Sequence, residues 1–123
     1  MRKIFIIAGI IIIIGVGAYL IIKQGGFQKK LPEKSEPPSV KIENFAFDPQ
    51  SIRIKAGDIL IWTNYDTAPH KILSDQSSAT YLPDLVSDEL SRLGQYGYKF
   101  NQPGTYNYYC SIHPDMKGTV IVE

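Results

Sequence analysis

The chain of 123 residues has one cysteine, two histidines and, apart from the initiator, one methionine. One cysteine excludes an intramolecular disulfide. Because it stands at position 110, far from the N-terminal apolar segment, a lipid-modified N-terminal cysteine is excluded as well. Strong charge of one sign is also lacking, with 13 Lys and Arg against 12 Asp and Glu. Residues 39–123 alone hold seven basic and ten acidic side chains. A mildly acidic surface cannot neutralise phosphates, so no nucleic-acid partner is expected. The length leaves out a two-domain enzyme, a multi-helix transporter and a repeat array.

Long hydrophobic runs are absent except for one. Residues 4–22 carry no charge, and ten of the 19 are isoleucine. As a helix the run spans roughly 28 Å, close to the hydrocarbon thickness of about 30 Å. It is apolar on every face, which disfavours a soluble amphipathic helix. The reading adopted is a single N-terminal transmembrane helix acting as an uncleaved anchor, within a segment 1–23. A cleaved signal peptide is the alternative, with Val16-Gly17-Ala18 as its small-residue site. Against cleavage, Tyr19-Leu20-Ile21-Ile22 continues the apolar run past that site. Basic residues flank both sides (Arg2 and Lys3; Lys23, Lys29 and Lys30), so charge alone leaves the orientation open. Residues 24–38 hold Gly25-Gly26, three prolines and interspersed Lys and Glu, the composition of a linker.

Residues 39–123 read as one all-β domain. Val40, Ile42, Phe45 and Phe47 outline a first strand closed by Asp48-Pro49. Ser51 to Lys55 alternates and turns at Ala56-Gly57-Asp58. Ile59 to Thr63 is a nearly continuous apolar run. Further strands are expected over His70–Leu73, Tyr96–Phe100, Thr105–Cys110 and Thr119–Val122. Short strands at this spacing, punctuated by glycine and proline, indicate a β-sandwich. One stretch has a different period: Leu82, Val86, Leu90 and Leu93 fall on one helical face, with Pro83 at its start and Gly94 after it. It predicts a short inserted helix over residues 84–93.

The scarce residues lie together. Cys110-Ser111-Ile112-His113-Pro114-Asp115-Met116 reads Cys-x2-His-x2-Met, and His70 opens another expected strand. Singly, each of the four has an ordinary structural explanation. Together they are a soft set of two imidazoles, one thiolate and one thioether. Copper electron-transfer sites use that set, with the thioether as a weak axial ligand.

With these residues in view, the span from about Val40 to Glu123 resembles the cupredoxins, small type 1 blue copper proteins. The two-residue gaps on each side of His113 resemble the short ligand loop of amicyanin. Gly104-Thr105-Tyr106-x-Tyr108-x-Cys110 is similar to the family's strand into the site, and Lys117–Val122 to its closing strand. Phe47-Asp48-Pro49 and Ala56-Gly57-Asp58 match its early turns. The resemblance implies a Greek-key antiparallel β-sandwich and one copper ion bound by His70, Cys110, His113 and Met116. It departs at Lys71, where the family commonly has an asparagine that pins the ligand loop, and at Ile112, where proline is frequent. Both departures bear on the reduction potential more than on the metal.

The expected function is single-electron transfer between protein redox partners docking near His113, with no substrate turned over. A copper-binding or copper-delivery module without redox shuttling is the alternative. Enzyme readings are weaker. No oriented third group accompanies a Cys–His pair, two histidines are too few for multicopper chemistry, and thioether is a poor zinc ligand. An exposed thiol with copper suits an extracytoplasmic location, which decides the orientation: a head, expected to be monomeric, held outside by a membrane segment at residues 4–22. A linker of about 15 residues spans on the order of 20–25 Å when flexible. Cell fractionation is expected to recover the full chain with the membrane. A soluble protein beginning at Tyr19 would show cleavage instead.

Overall fold

The computed structural model describes residues 32 and 34–123, so the expected transmembrane helix and most of the linker lie outside the described residues. Eight strands follow in order: β1 (Ser39–Glu43), β2 (Ala46–Asp48), β3 (Ser51–Ile54), β4 (Ile59–Asn64), β5 (Ile72–Ser74), β6 (Gln95–Lys99), β7 (Gly104–Cys110) and β8 (Lys117–Val122). They form two four-stranded sheets, ordered β2-β1-β4-β6 and β3-β8-β7-β5. Period-two burial drives the architecture. In β1 it buries Val40 and Ile42, in β4 Leu60, Trp62 and Asn64, and in β7 Tyr106, Tyr108 and Cys110. Side chains pointing inward from the two sheets make one core. At its centre the fully buried Trp62 packs edge-on against Tyr108 at 5.3 Å and stacks on Tyr96 at 5.7 Å.

Three expectations change. The sandwich is not purely antiparallel: β1 pairs parallel with β4, and β3 parallel with β8. The first strand is a hairpin, β1 and β2 facing each other through Glu43↔Ala46 around a two-residue loop. Its residues Asn44 and Phe45 both take left-handed backbone, with φ of 53° and 56°. Two positive φ values give the turn a twist that matches paired strands, and Phe45 is thereby thrown outward, 54% exposed.

The third change is the expected helix over 84–93, which is absent. The segment runs extended and antiparallel to residues 70–74, bridging Leu73 to Val86 and His70 to Leu90. Burial follows Leu85, Ser87 and Leu90, while Val86 and Leu93 of the supposed helical face are 47% and 63% exposed. The cause is unpaired main chain. β5 ends its sheet, and its outer donors and acceptors need partners. Ser74 N–H donates to the Leu85 carbonyl at 3.0 Å, and Ser87 N–H to that of Ile72 at 2.9 Å. The Ser87 hydroxyl accepts from Ile72 N–H at 2.8 Å. A weak helical period loses to this demand.

Gly118 stands where a side chain has no room. It faces Tyr108 across β8 and β7, and a Cβ there would come within 2.8 Å of ring atom Cε1. Gly118→Ala is expected to destabilise the fold by about 1–3 kcal/mol through overpacking, read as a lower denaturant midpoint. An unchanged midpoint would show that the Tyr108 ring can move aside.

Candidate metal centre

Strand pairing sets the site. Ile72 lies opposite Cys110, so the start of β5 and the end of β7 are neighbours although 38 residues of sequence separate them. His70 is held just before β5 by two main-chain bonds with Leu90, its N–H to the Leu90 carbonyl at 3.1 Å and its carbonyl from the Leu90 N–H at 2.7 Å. Cys110 closes β7 and, against the exposed thiol expected from the sequence, is fully buried. The loop after it is tied at three points. Cys110 N–H donates to the Met116 carbonyl at 3.0 Å, Met116 N–H to that of His113 at 2.9 Å, and Ser111 N–H to that of Lys71 at 2.9 Å.

As a result the donor atoms converge. His70 Nδ1 lies 3.6 Å from Cys110 Sγ, and His113 Nδ1 lies 3.7 Å from it. One donor atom from each of the three residues lies within 4.8 Å of the others. Metal–imidazole bonds of about 2.0–2.1 Å and a metal–thiolate bond of about 2.3 Å, set at trigonal angles, separate nitrogen from sulfur by roughly 3.8 Å. The observed nitrogen–sulfur separations are those that one ion held by His70, Cys110 and His113 would require. His70 is fully buried, His113 half-buried, and Met116, at the far end of the loop, 6% exposed. All four residues singled out in the sequence therefore lie at one end of the sandwich.

Residues around them were less visible in the sequence. The ring of Phe45 stands edge-on to His113 at 5.0 Å and to His70 at 5.6 Å. The Asp66 carboxylate reaches His70 Nε2 at 2.9 Å. It also accepts from the main-chain N–H of Asn44 at 2.7 Å and of Phe45 at 3.0 Å. The buried Asn64 donates to the carbonyls of Ala68 at 2.9 Å and Leu90 at 2.8 Å, and accepts from Asp66 N–H at 2.8 Å. Asn64 and Asp66 thus secure the loop into His70, while Lys71 contributes its carbonyl, which any residue would supply. An available signal for Asp66 was an acid four residues before a candidate histidine ligand, since ligating imidazoles commonly give their second N–H to a carboxylate.

Burial pushes the Asp66 carboxyl up, but the bonds from Phe45 N–H, His70 and Asn44 N–H outweigh it, and the group sits below its ordinary value.

Comparison with known proteins points to a copper-binding family. The family described as "Copper binding proteins, plastocyanin/azurin family" matches residues 37–123. Amicyanin-alpha of Methylorubrum extorquens is 42% identical over 84 residues, which cover 68% of this chain and 70% of the relative. A plastocyanin of Scenedesmus fuscus is 38% identical over 84 residues, covering 63% of this chain and 86% of its own. Among solved structures, the Cu(I) form of an amicyanin variant superposes with a TM-score of 0.64 at 29% identity, covering 71% of this chain and 82% of its own.

Because its folded-state value is lowered, Asp66 contributes stability that is present above the ordinary carboxyl value of 3.8 and lost as pH falls through the lower one. Asp66→Ala is expected to cost the metal-free protein about 1–3 kcal/mol near pH 6. The gap to wild type should narrow below about pH 4 in denaturant unfolding followed by Trp62 fluorescence. A gap as wide at pH 3 as at pH 6 would contradict the assignment of that stability to an ionised carboxylate.

Proposed function

Because the chain belongs to the plastocyanin/azurin family of copper-binding proteins, we propose that it is a type 1 copper electron carrier whose ligands are His70, Cys110, His113 and Met116. The observation that carries the reading is the convergence of one buried thiol and two imidazoles, at 3.6 and 3.7 Å, on a frame of strand and tied loop. Copper bound there supplies a one-electron couple, Cu(II)/Cu(I). The chain's part is to hold the donors still. His70 is fixed by main-chain bonds, Cys110 by strand pairing, and the loop to Met116 by its own main chain. A cage that does not rearrange between oxidation states keeps the barrier to electron exchange low.

The half-buried His113 is the ligand nearest the surface, with Phe45 and Ile112 beside it 54% and 41% exposed. Redox protein partners dock on that face in this reading, and apolar contact there excludes water from the electron's path. The head works outside the cytoplasm as a monomer. Residues 4–22 anchor it to the membrane, and residues 24–38 give it reach.

The test is an absorption spectrum of the copper-loaded, oxidised protein. An intense visible band from thiolate-to-copper charge transfer is expected, and Cys110→Ser should abolish it while the sandwich stays folded. A band that survives Cys110→Ser would refute the ligand set. Met116→Gln should retain copper and lower the potential, because a harder oxygen donor favours Cu(II). Loss of copper from that variant would show Met116 to be a strong ligand instead of a weak axial one.

A further inference from the structure

His70 offers one ring nitrogen to the centre and the other to a carboxylate. Nδ1 faces Cys110 Sγ at 3.6 Å, and Nε2 meets Asp66 Oδ2 at 2.9 Å. An ionised carboxylate can only accept a hydrogen bond. The shared proton therefore sits on Nε2, and the Nδ1 lone pair is left bare toward the thiol.

Asp66 is not free to serve His70 alone. Its Oδ1 accepts from Asn44 N–H, and its Oδ2 accepts from both Phe45 N–H and His70 Nε2–H. The two main-chain donors belong to the hairpin residues with φ of 53° and 56°. That conformation is costly for a bulky side chain such as Phe45. Successive main-chain N–H groups converging on one point form an anion cradle. Here the anion is Asp66, which both holds the turn in this shape and aims at His70. The turn in turn carries Phe45, whose ring lies steeply inclined against both imidazoles, with centroids 5.6 Å from His70 and 5.0 Å from His113. One side chain, 11% exposed, thus fixes His70 directly and His113 through an aromatic contact.

We propose that Asp66 is the positioning residue of the centre: it fixes the Nε2–H tautomer of His70, orders the Asn44–Phe45 turn over both imidazoles, and holds the reduction potential down. The last element follows from charge. An anionic acceptor on Nε2–H makes Nδ1 a stronger donor, and a stronger donor stabilises Cu(II) more than Cu(I). This rests on the copper reading above for the potential, but not for the tautomer or the turn.

The experiment has two arms. In the metal-free protein, ring 15N NMR at pH 9 is expected to show His70 protonated on Nε2 and bare on Nδ1. Its Nε2–H proton should be shifted downfield by the carboxylate. In Asp66→Asn that proton should move upfield. In the copper-loaded protein, Asp66→Asn is expected to lower the affinity for Cu(II) relative to Cu(I) about tenfold, read as a potential higher by about 59 mV. Asp75→Asn removes the same charge from a carboxylate bonded only to Ser77 and should leave the potential in place. A wild-type His70 protonated on Nδ1 would overturn the proposal. So would an Asp66→Asn protein with the wild-type Nε2–H resonance and potential, or an equal rise in Asp75→Asn. If the wild-type protein gives no charge-transfer band, the copper reading fails, and the metal-free arm still decides the tautomer.

Discussion

The pairing of Ile72 with Cys110 is the contact on which the rest of the centre depends. It joins the start of one short strand to the end of a long one, and so sets an imidazole beside a thiol 40 residues away in sequence. β7 can do this because it lies between β8 and β5 and is bonded on both sides. β5 has only three residues and an open edge, so it needs a second partner. The extended segment from Leu85 to Leu90 supplies one, and in doing so clamps His70 through Leu90. The stretch that breaks the strand pattern is therefore part of the scaffold of the site.

Around that pairing, polar groups replace flexibility with fixed distances. Buried polar side chains are stable only when bonded. Asn64 and Ser87 meet that condition by capturing main-chain groups of the loops beside His70. Asp66 does the same for the hairpin turn. None of these bonds touches the thiol, but each removes a way for a donor atom to drift. Exposure is confined to one face of the site, where Phe45 and Ile112 stand beside the half-buried His113.

The arrangement also explains why an unusual residue after His70 is tolerated. The tie between the two ligand segments runs from Ser111 N–H to the carbonyl of Lys71. A main-chain acceptor does not depend on the side chain at that position. The task of pinning the loop falls to Asn64 and Asp66, which come before the histidine instead of after it.

Cys110, His113, Met116, the sandwich class and most strand positions could be read from the sequence because each rests on local information, and His70 because the chain has only two histidines. Alternating burial in Val40–Ile42 or Tyr106–Cys110 is a property of a strand and its two faces, and Cys-x2-His-x2-Met is a single loop. The hairpin at Asn44–Phe45, the extended course of residues 85–90 and the parallel pairings of β1 with β4 and β3 with β8 could not. Asn44-Phe45 has no glycine to announce a turn; its shape depends on a carboxylate 21 residues further on. The Leu82–Leu93 periodicity was real as a pattern but was overruled by hydrogen-bonding groups on an edge strand that no local window contains. The donor types were thus determined by the chain itself. Which nitrogen of His70 faces the thiol, and what holds it there, was decided only when distant segments met.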